Sequence, residues 1–415
     1  MNLEVEFGSG ALPLEAADGR LTGVVEPRRA ETIEDQGKAI EASLERPVGA
    51  PPLEELLEGK DSALILVSGQ GCPSPRVLLQ PILNCCRSQG VQATICVAHA
   101  ARRQMSEEEL RDHLGAAFDT AAVVQHDAWS DELHLETEAT SRGTPVRINR
   151  GLRAYDALLA VGFAAPSHLC GFSGGKELIV PGIAHHSTIA ANHRWLFHPD
   201  ARIGVMYGNP VSDDADEAAS EAPLLWVTHG VPTTDGGLAR VVSGRPRRAH
   251  LAACRAARAI YEAQPRRADI VVASPGGAPH DFDLALAAEA LGPAAEMVNP
   301  GGAIVLVAEC ADGCGPAPAL REWLSERSPR EIMEQAPSGA ASALGIHGAY
   351  LAARPAAAKG AAVILVTSSD TAAALDGSFV QTCTDLGEAM VLAAAHAGDE
   401  ASVAVLRHAR RLILA

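Results

Sequence analysis

The feature that most constrains this chain is a rhythm. From residue 62, short apolar runs ending in or near glycine alternate with stretches of helical character. SALILVSG (62–69) reads as a buried strand, PRVLLQPILNCCRSQG (75–90) as the helix after it and VQATICVAHA (91–100) as the next strand. EEELRDHLGAAF (107–118) reads as a helix with Ser106 as its N-cap, and YDALLAVG (155–162) as a strand entering a glycine-rich turn. Unbroken apolar runs of this kind suit parallel strands covered on both faces by crossover helices. The rhythm restarts with a helix at HLAACRAARAIYEAQP (250–265) and a strand at ADIVVASPGG (268–277). A helix at DLALAAEALGPAAEMV (283–298) and strands at GGAIVLVAEC (301–310) and AAVILVTSS (361–369) follow. The expected fold is α/β: two domains with parallel-rich sheets flanked by helices and an active-site cleft between them. The linker candidate EAQPRRA (262–268) places the domains at 1–265 and 266–395, with the tail 396–415 returning as a strand to the first.

At 415 residues the chain is too long for one ordinary core, and 47% hydrophobic with 20% charged residues makes it globular. A net charge of -17 argues against a nucleic-acid partner, which needs a basic face, but leaves room for a locally positive pocket. No apolar run approaches the roughly 20 residues of a membrane span, and MNLEVEFGSGALPLEAA has no signal-peptide character. The nine cysteines include no CxxC pair, so free thiols in a reduced, cytoplasmic compartment are expected. The partner implied is a small-molecule substrate, with a homo-oligomer left open. A dinucleotide dehydrogenase is disfavoured, because no G-x-G-x-x-G follows a strand with an acidic residue some 20 positions on.

The segment richest in chemistry is SHLCGFSGGKELIVPGIAHHSTIAANH (167–193). Gly174 and Gly175 would let backbone N–H groups approach an anion, and Lys176 would add positive charge. Thr188 to His193 read as helical, with His193 projecting towards the glycine loop, where an imidazole suits a borderline metal such as nickel. A turn and a packed histidine would explain Gly-Gly and His193 taken singly; the whole 27-residue string asks for more. Elsewhere, Cys72 and Cys170 read as small buried hydrophobes rather than nucleophiles, and His185 and His186 as packed or solvated. His126 and Asp127 read as a structural pair, and VSDDADEAAS (211–220) as a solvated acidic helix start.

This string resembles the lactate racemase family, whose members use a nickel-pincer nucleotide. MSEEELRDHLG (105–115), QHDAWSDELHLETEATSRGTPVRINR (125–150), SPGGAPHDFDLALAAEAL (274–291) and GGAIVLVAECADGCG (301–315) resemble further family segments in the same order. The resemblance covers most of the chain from about residue 60. It implies that His193 is the nickel ligand and that Gly69, Gly71, Gly174, Gly175, Lys176 and Glu177 lie at the cofactor. The departures are as informative. The family's GGxK loop reads GGKE here, so Glu177 replaces a lysine that some members join covalently to the cofactor, which argues against that link. The GTHR string with the first acid–base histidine reads AARR, placing Arg102 there. The PH string with the second reads PSH, so Ser167 matches it and His168 follows. The carboxylate-clamping arginine becomes Cys72, and a substrate-holding lysine of the second domain becomes Glu289.

Arginine stays charged, with a pKa of about 12.5–13.8, so Arg102 can bind an anion but not act as a base near neutrality. His168 is the group suited to exchange a proton. The resemblance thus implies a racemase or epimerase of a 2-hydroxy acid or related hydroxy compound. In that chemistry hydride passes from the carbinol carbon to the nickel-pincer nucleotide while a base takes the hydroxyl proton, and the altered positions point away from lactate. The alternative is a non-racemising homologue that binds a nucleotide or metal on the same scaffold.

Overall fold

The computed structural model describes residues 2–15, 19–316, 318–338 and 344–415. It divides into two compact units, one of Arg29–Trp195 with Asp200–Ile260, the other of Met1–Arg28 with Leu196–Pro199 and Tyr261–Ala415. Each is built on a six-stranded sheet, so the α/β, parallel-rich expectation holds.

In the first unit the strand order is Leu238–Gly244, Leu224–Pro232, Ala157–Phe163, Ser62–Ser68, Gln92–Ala98, Ala122–Gln125. All neighbours are parallel except Leu238–Gly244, an antiparallel edge strand. Ala63 to Val67 are buried without a polar residue among them, as a central parallel strand requires. Leu78, Leu79, Ile82 and Leu83 of the helix Arg76–Ser88 join Ala63, Ile65 and Val67 in one core cluster, despite Pro81 inside that helix. Ser106 caps the next helix in a reciprocal box: Glu109 N donates to Ser106 Oγ (3.2 Å) and Ser106 N to Glu109 Oε2 (2.7 Å). The helical run read over 107–118 breaks at Gly115, with φ +57°, into Glu107–Leu114 and Ala117–Thr120.

In the second unit the order is Gln381–Cys383, Ala362–Val366, Val298–Val307, Ala268–Ala273, Val403–Leu406, Leu21–Val25, parallel throughout. This corrects the domain assignment. The tail strand Val403–Leu406 pairs with Ala268–Ala273 and Leu21–Val25, so it does not return to the first unit, and the N-terminal strands belong to the second. Four consecutive buried residues, Val403 to Leu406, need neighbours on both edges, and these are the strands that supply them. The long helix read over 283–298 is three pieces, Leu284–Ala287, Ala288–Ala290 and Leu291–Met297. Pro293 carries no N–H for the carbonyl of Glu289, which weakens the helical ladder there.

Candidate functional site

In parallel α/β sheets ligands collect at the carboxyl ends of strands. At the end of Ser62–Ser68, Gly69 N donates to Ala98 O at 3.2 Å, tying its turn to the neighbouring strand. A side chain at Gly69 would overlap the His99 ring, and Gly71 holds a positive φ of 74°. Cys72 follows, half-buried. His99, which the sequence reading passed over, closes this corner. Gln125 Oε1 accepts from Met105 N (2.8 Å) while its Nε2 donates to Met105 O (3.0 Å), which fixes the amide. The bond between Gln125 Oε1 and His99 Nε2 (2.8 Å) must therefore have the imidazole as donor, leaving Nδ1 bare and buried without a partner. Burial is the main reason that the His99 pKa falls to about 4, so the ring is neutral. Ala100 turns the chain at φ +52° and Arg102 N donates to His99 O at 3.1 Å, which sets Arg102, half-buried, just beyond.

After Ala157–Phe163 the chain forms a small hairpin in which Pro166–Ser167 pairs with Gly171–Phe172, so His168 lies at its tip beside Ser167. The glycine loop comes next, and the Gly174 N–H is already used. Gly174 N donates to Glu177 Oε2 at 2.8 Å, and Cys170 Sγ donates to Glu177 Oε1 at 2.5 Å. The Cys170 thiol is raised well above its usual pKa by burial first and by the Glu177 charge second. Lys176 turns away: its Nζ donates to Ser212 O (2.8 Å) and Ser212 Oγ (2.9 Å) and pairs with Asp216 (2.6 Å). In the anion cradle read from GFSGGK, the Gly174 N–H is thus taken by the chain's own Glu177 carboxylate and the Lys176 ammonium is paired on another helix. Behind the loop lies His229, buried, with neither ring nitrogen partnered; a Cβ on Gly174 would come within 2.8 Å of it. Its ring centroid is 5.3 Å from that of His250. The pKa of His250 falls to about 4 by burial, with Lys176 contributing. Lys176, His250, Phe172 and Cys254 border a cavity of about 430 Å³ on this side of the loop.

His193 ends the helix His186–His193, as the sequence indicated. Its neighbour Asn192 anchors that helix, donating to Val211 O (3.0 Å) and Asp214 Oδ2 (2.8 Å). Asp214 also accepts from Thr140 Oγ1 (2.6 Å) and Thr144 Oγ1 (2.8 Å). The 211–220 run is therefore not wholly solvated: Asp214 is a buried anchor, and its helix Pro210–Ala219 also carries the partners of Lys176. Metal fit can be judged at His193. Among the described residues no group of three His, Cys, Asp or Glu could hold a metal, so a metal there needs a ligand that brings its own donors. The amine of the family's covalent link is absent, since Glu177 is a carboxylate.

A layer of imidazoles backs the His193 helix. His126, His134, His185 and His186 succeed one another with centroids 5.2, 5.0 and 4.1 Å apart. His126 Nε2 bonds Ala184 O (3.1 Å) and its Nδ1 accepts from Asn149 Nδ2 (3.2 Å), so it pairs there rather than with Asp127. His185 caps the helix, accepting from Ser187 N at 3.2 Å. Burial is the leading cause that lowers His126 and His185 to about 4. In the second unit, Glu289 is buried and accepts from Arg410 Nε at 2.9 Å.

Fold and site define a two-unit parallel α/β protein with titratable side chains gathered at the strand ends of its first sheet, the layout of an enzyme. The chain belongs to the lactate racemase family: residues 7–204 match the lactate racemase N-terminal domain and residues 263–413 the lactate racemase C-terminal domain. It is 29% identical to the lactate racemase of Thermoanaerobacterium thermosaccharolyticum over 98% of this chain and 97% of that one. It is 30% identical to that of Lactiplantibacillus plantarum over 72% of each. The solved lactate racemase apoprotein of T. thermosaccharolyticum superposes with a TM-score of 0.88 at 28% identity, covering 100% of both chains. A solved Thermotoga maritima protein, 17% identical, shares the fold with a TM-score of 0.68 over 84% of this chain and 91% of that one. The relatives named lactate racemase are isomerases, and the family uses nickel.

Proposed function

We propose that this chain is a racemase or epimerase of a 2-hydroxy acid or related hydroxy compound, using a nickel-pincer nucleotide that it holds without a covalent link. The observation that carries the reading is His193, the last residue of a helix anchored through Asn192 to Asp214, in a chain that superposes on lactate racemase from end to end. His193 would supply the protein nitrogen to nickel. When bound, the cofactor supplies a hydride acceptor. His168, at the tip of the hairpin that follows the Ala157–Phe163 strand, would take up and return the hydroxyl proton, while Arg102 would bind the substrate anion. Protein made together with the cofactor-synthesis proteins should contain nickel and the pincer chromophore, and His193→Ala should lose the nickel while remaining folded. Nickel retained in that variant overturns the assignment. A screen for loss of a hydrogen isotope from the carbinol carbon tests the reaction itself.

The second reading, a homologue that does not racemise, is favoured by the glycine loop, whose Gly174 N–H and Lys176 are both engaged within the protein. Protein free of nickel and chromophore after the same preparation supports it.

A further inference from the structure

Trp129 is 51% exposed, yet it is held at several points. Its backbone N donates to Asp127 Oδ1 at 2.9 Å. Its indole Nε1 donates to the carbonyl of Ala101 at 3.3 Å, and one face of the ring stacks on His186, centroids 4.5 Å apart and planes 18° from parallel. His186 is itself fixed, its N donating to Ala128 O at 3.0 Å. Single exposed apolar side chains are ordinary on protein surfaces and usually mobile. This one is a rigid plate whose ordering cost is already met by stacking and hydrogen bonding, as at aromatic recognition sites.

Its position gives the plate a use. Ala101 precedes Arg102, the fixed cation of the proposed site. His186 opens the helix that His193 ends, and seven residues at about 1.5 Å rise separate the two ends by roughly 10 Å. A rigid apolar surface therefore lies beside the anion-binding residue and about one small molecule's length from the proposed nickel imidazole.

We propose that Trp129 is the platform for the non-reacting part of the substrate, and that the substrate is a 2-hydroxy acid with a flat aromatic side group rather than a methyl. The carboxylate meets Arg102 and the ring lies against the open part of the indole. The inference rests on the reading of Arg102 and His193 given above, but it is tested by binding. Holoprotein is titrated with 3-phenyllactate and with lactate, following tryptophan fluorescence and heat. Phenyllactate should bind about tenfold or more tighter than lactate, the scale expected for burying one aromatic face. Trp129→Ala should abolish that preference without changing lactate binding, and Trp129→Phe should restore most of it. Equal affinity of the wild type for the two acids, or an unchanged preference in Trp129→Ala, overturns the proposal. So does a change of oligomeric state in Trp129→Ala, which would mark the plate as a contact between copies. Phenyllactate that binds through Trp129 but is never racemised leaves this inference standing and removes the proposed reaction. Racemisation of phenyllactate that is indifferent to Trp129 does the reverse.

Discussion

The two units carry the same signature, a glycine pair after a buried parallel strand, and close it in different ways. In the first, Gly174–Gly175 is closed from within the loop by Glu177, three residues on from the amide it caps. In the second, the Gly276–Gly277 turn is closed by remote chain. Ala278 N donates to Gly8 O (2.7 Å), and Ser274 Oγ donates to Glu6 O (2.8 Å). The Asp281 carboxylate accepts from both Gly8 N (2.7 Å) and Glu309 N (3.1 Å). A locally closed loop can change its side chain with little effect on the rest. A turn closed by distant strands is structural cement.

Acid is the strongest lever on this contrast, because the first unit holds His99, His126, His185 and His250, each lowered from 6.5 to about 4. A neutral buried imidazole binds its proton less readily than the unfolded chain does. Its contribution is therefore complete above pH 6.5 and is lost as pH falls towards about 4. Each buried ring can forfeit up to about 3 kcal/mol, so hydrogen exchange should accelerate in Arg29–Ile260 over that range. Acceleration confined to the other unit would break the comparison.

The next effect is Asp281→Ala, which strands two backbone N–H groups and should cost about 2–5 kcal/mol in denaturant unfolding. Glu177→Ala frees one amide and should cost about 1 kcal/mol; a larger loss than that of Asp281→Ala would invert the argument. The smallest effect is on Cys170. Removing the Glu177 charge takes away the second of the influences that hold its thiol up, leaving burial, so alkylation by iodoacetamide should rise only a few-fold.

What the sequence made legible was local. Continuous apolar runs such as Ala63–Val67, the Ser106 capping box and the His186–His193 helix follow from patterns within a few residues. Illegible were the directions of charged side chains and the long-range pairings. Nothing near Lys176 reveals that it bonds Ser212 and Asp216 instead of facing an anion, and nothing near Val403 names Leu21–Val25 as its neighbour. His99 was overlooked because its role depends on Gln125, 26 residues away. Its place at the end of a parallel strand was the available clue.

That last pairing bears on how the chain is made. Among the described residues, Leu21–Val25 hydrogen-bonds to Val403–Leu406 and to no other strand, so it leaves the ribosome almost a full chain length before its partner exists. The first unit lies wholly within residues 29–260, of which only Leu196–Pro199 belongs to the other unit, and it can mature during synthesis. The second sheet must keep its first-made edge strand waiting, and a nascent chain halted just short of residue 403 would present a folded first unit tethered to an unfinished second.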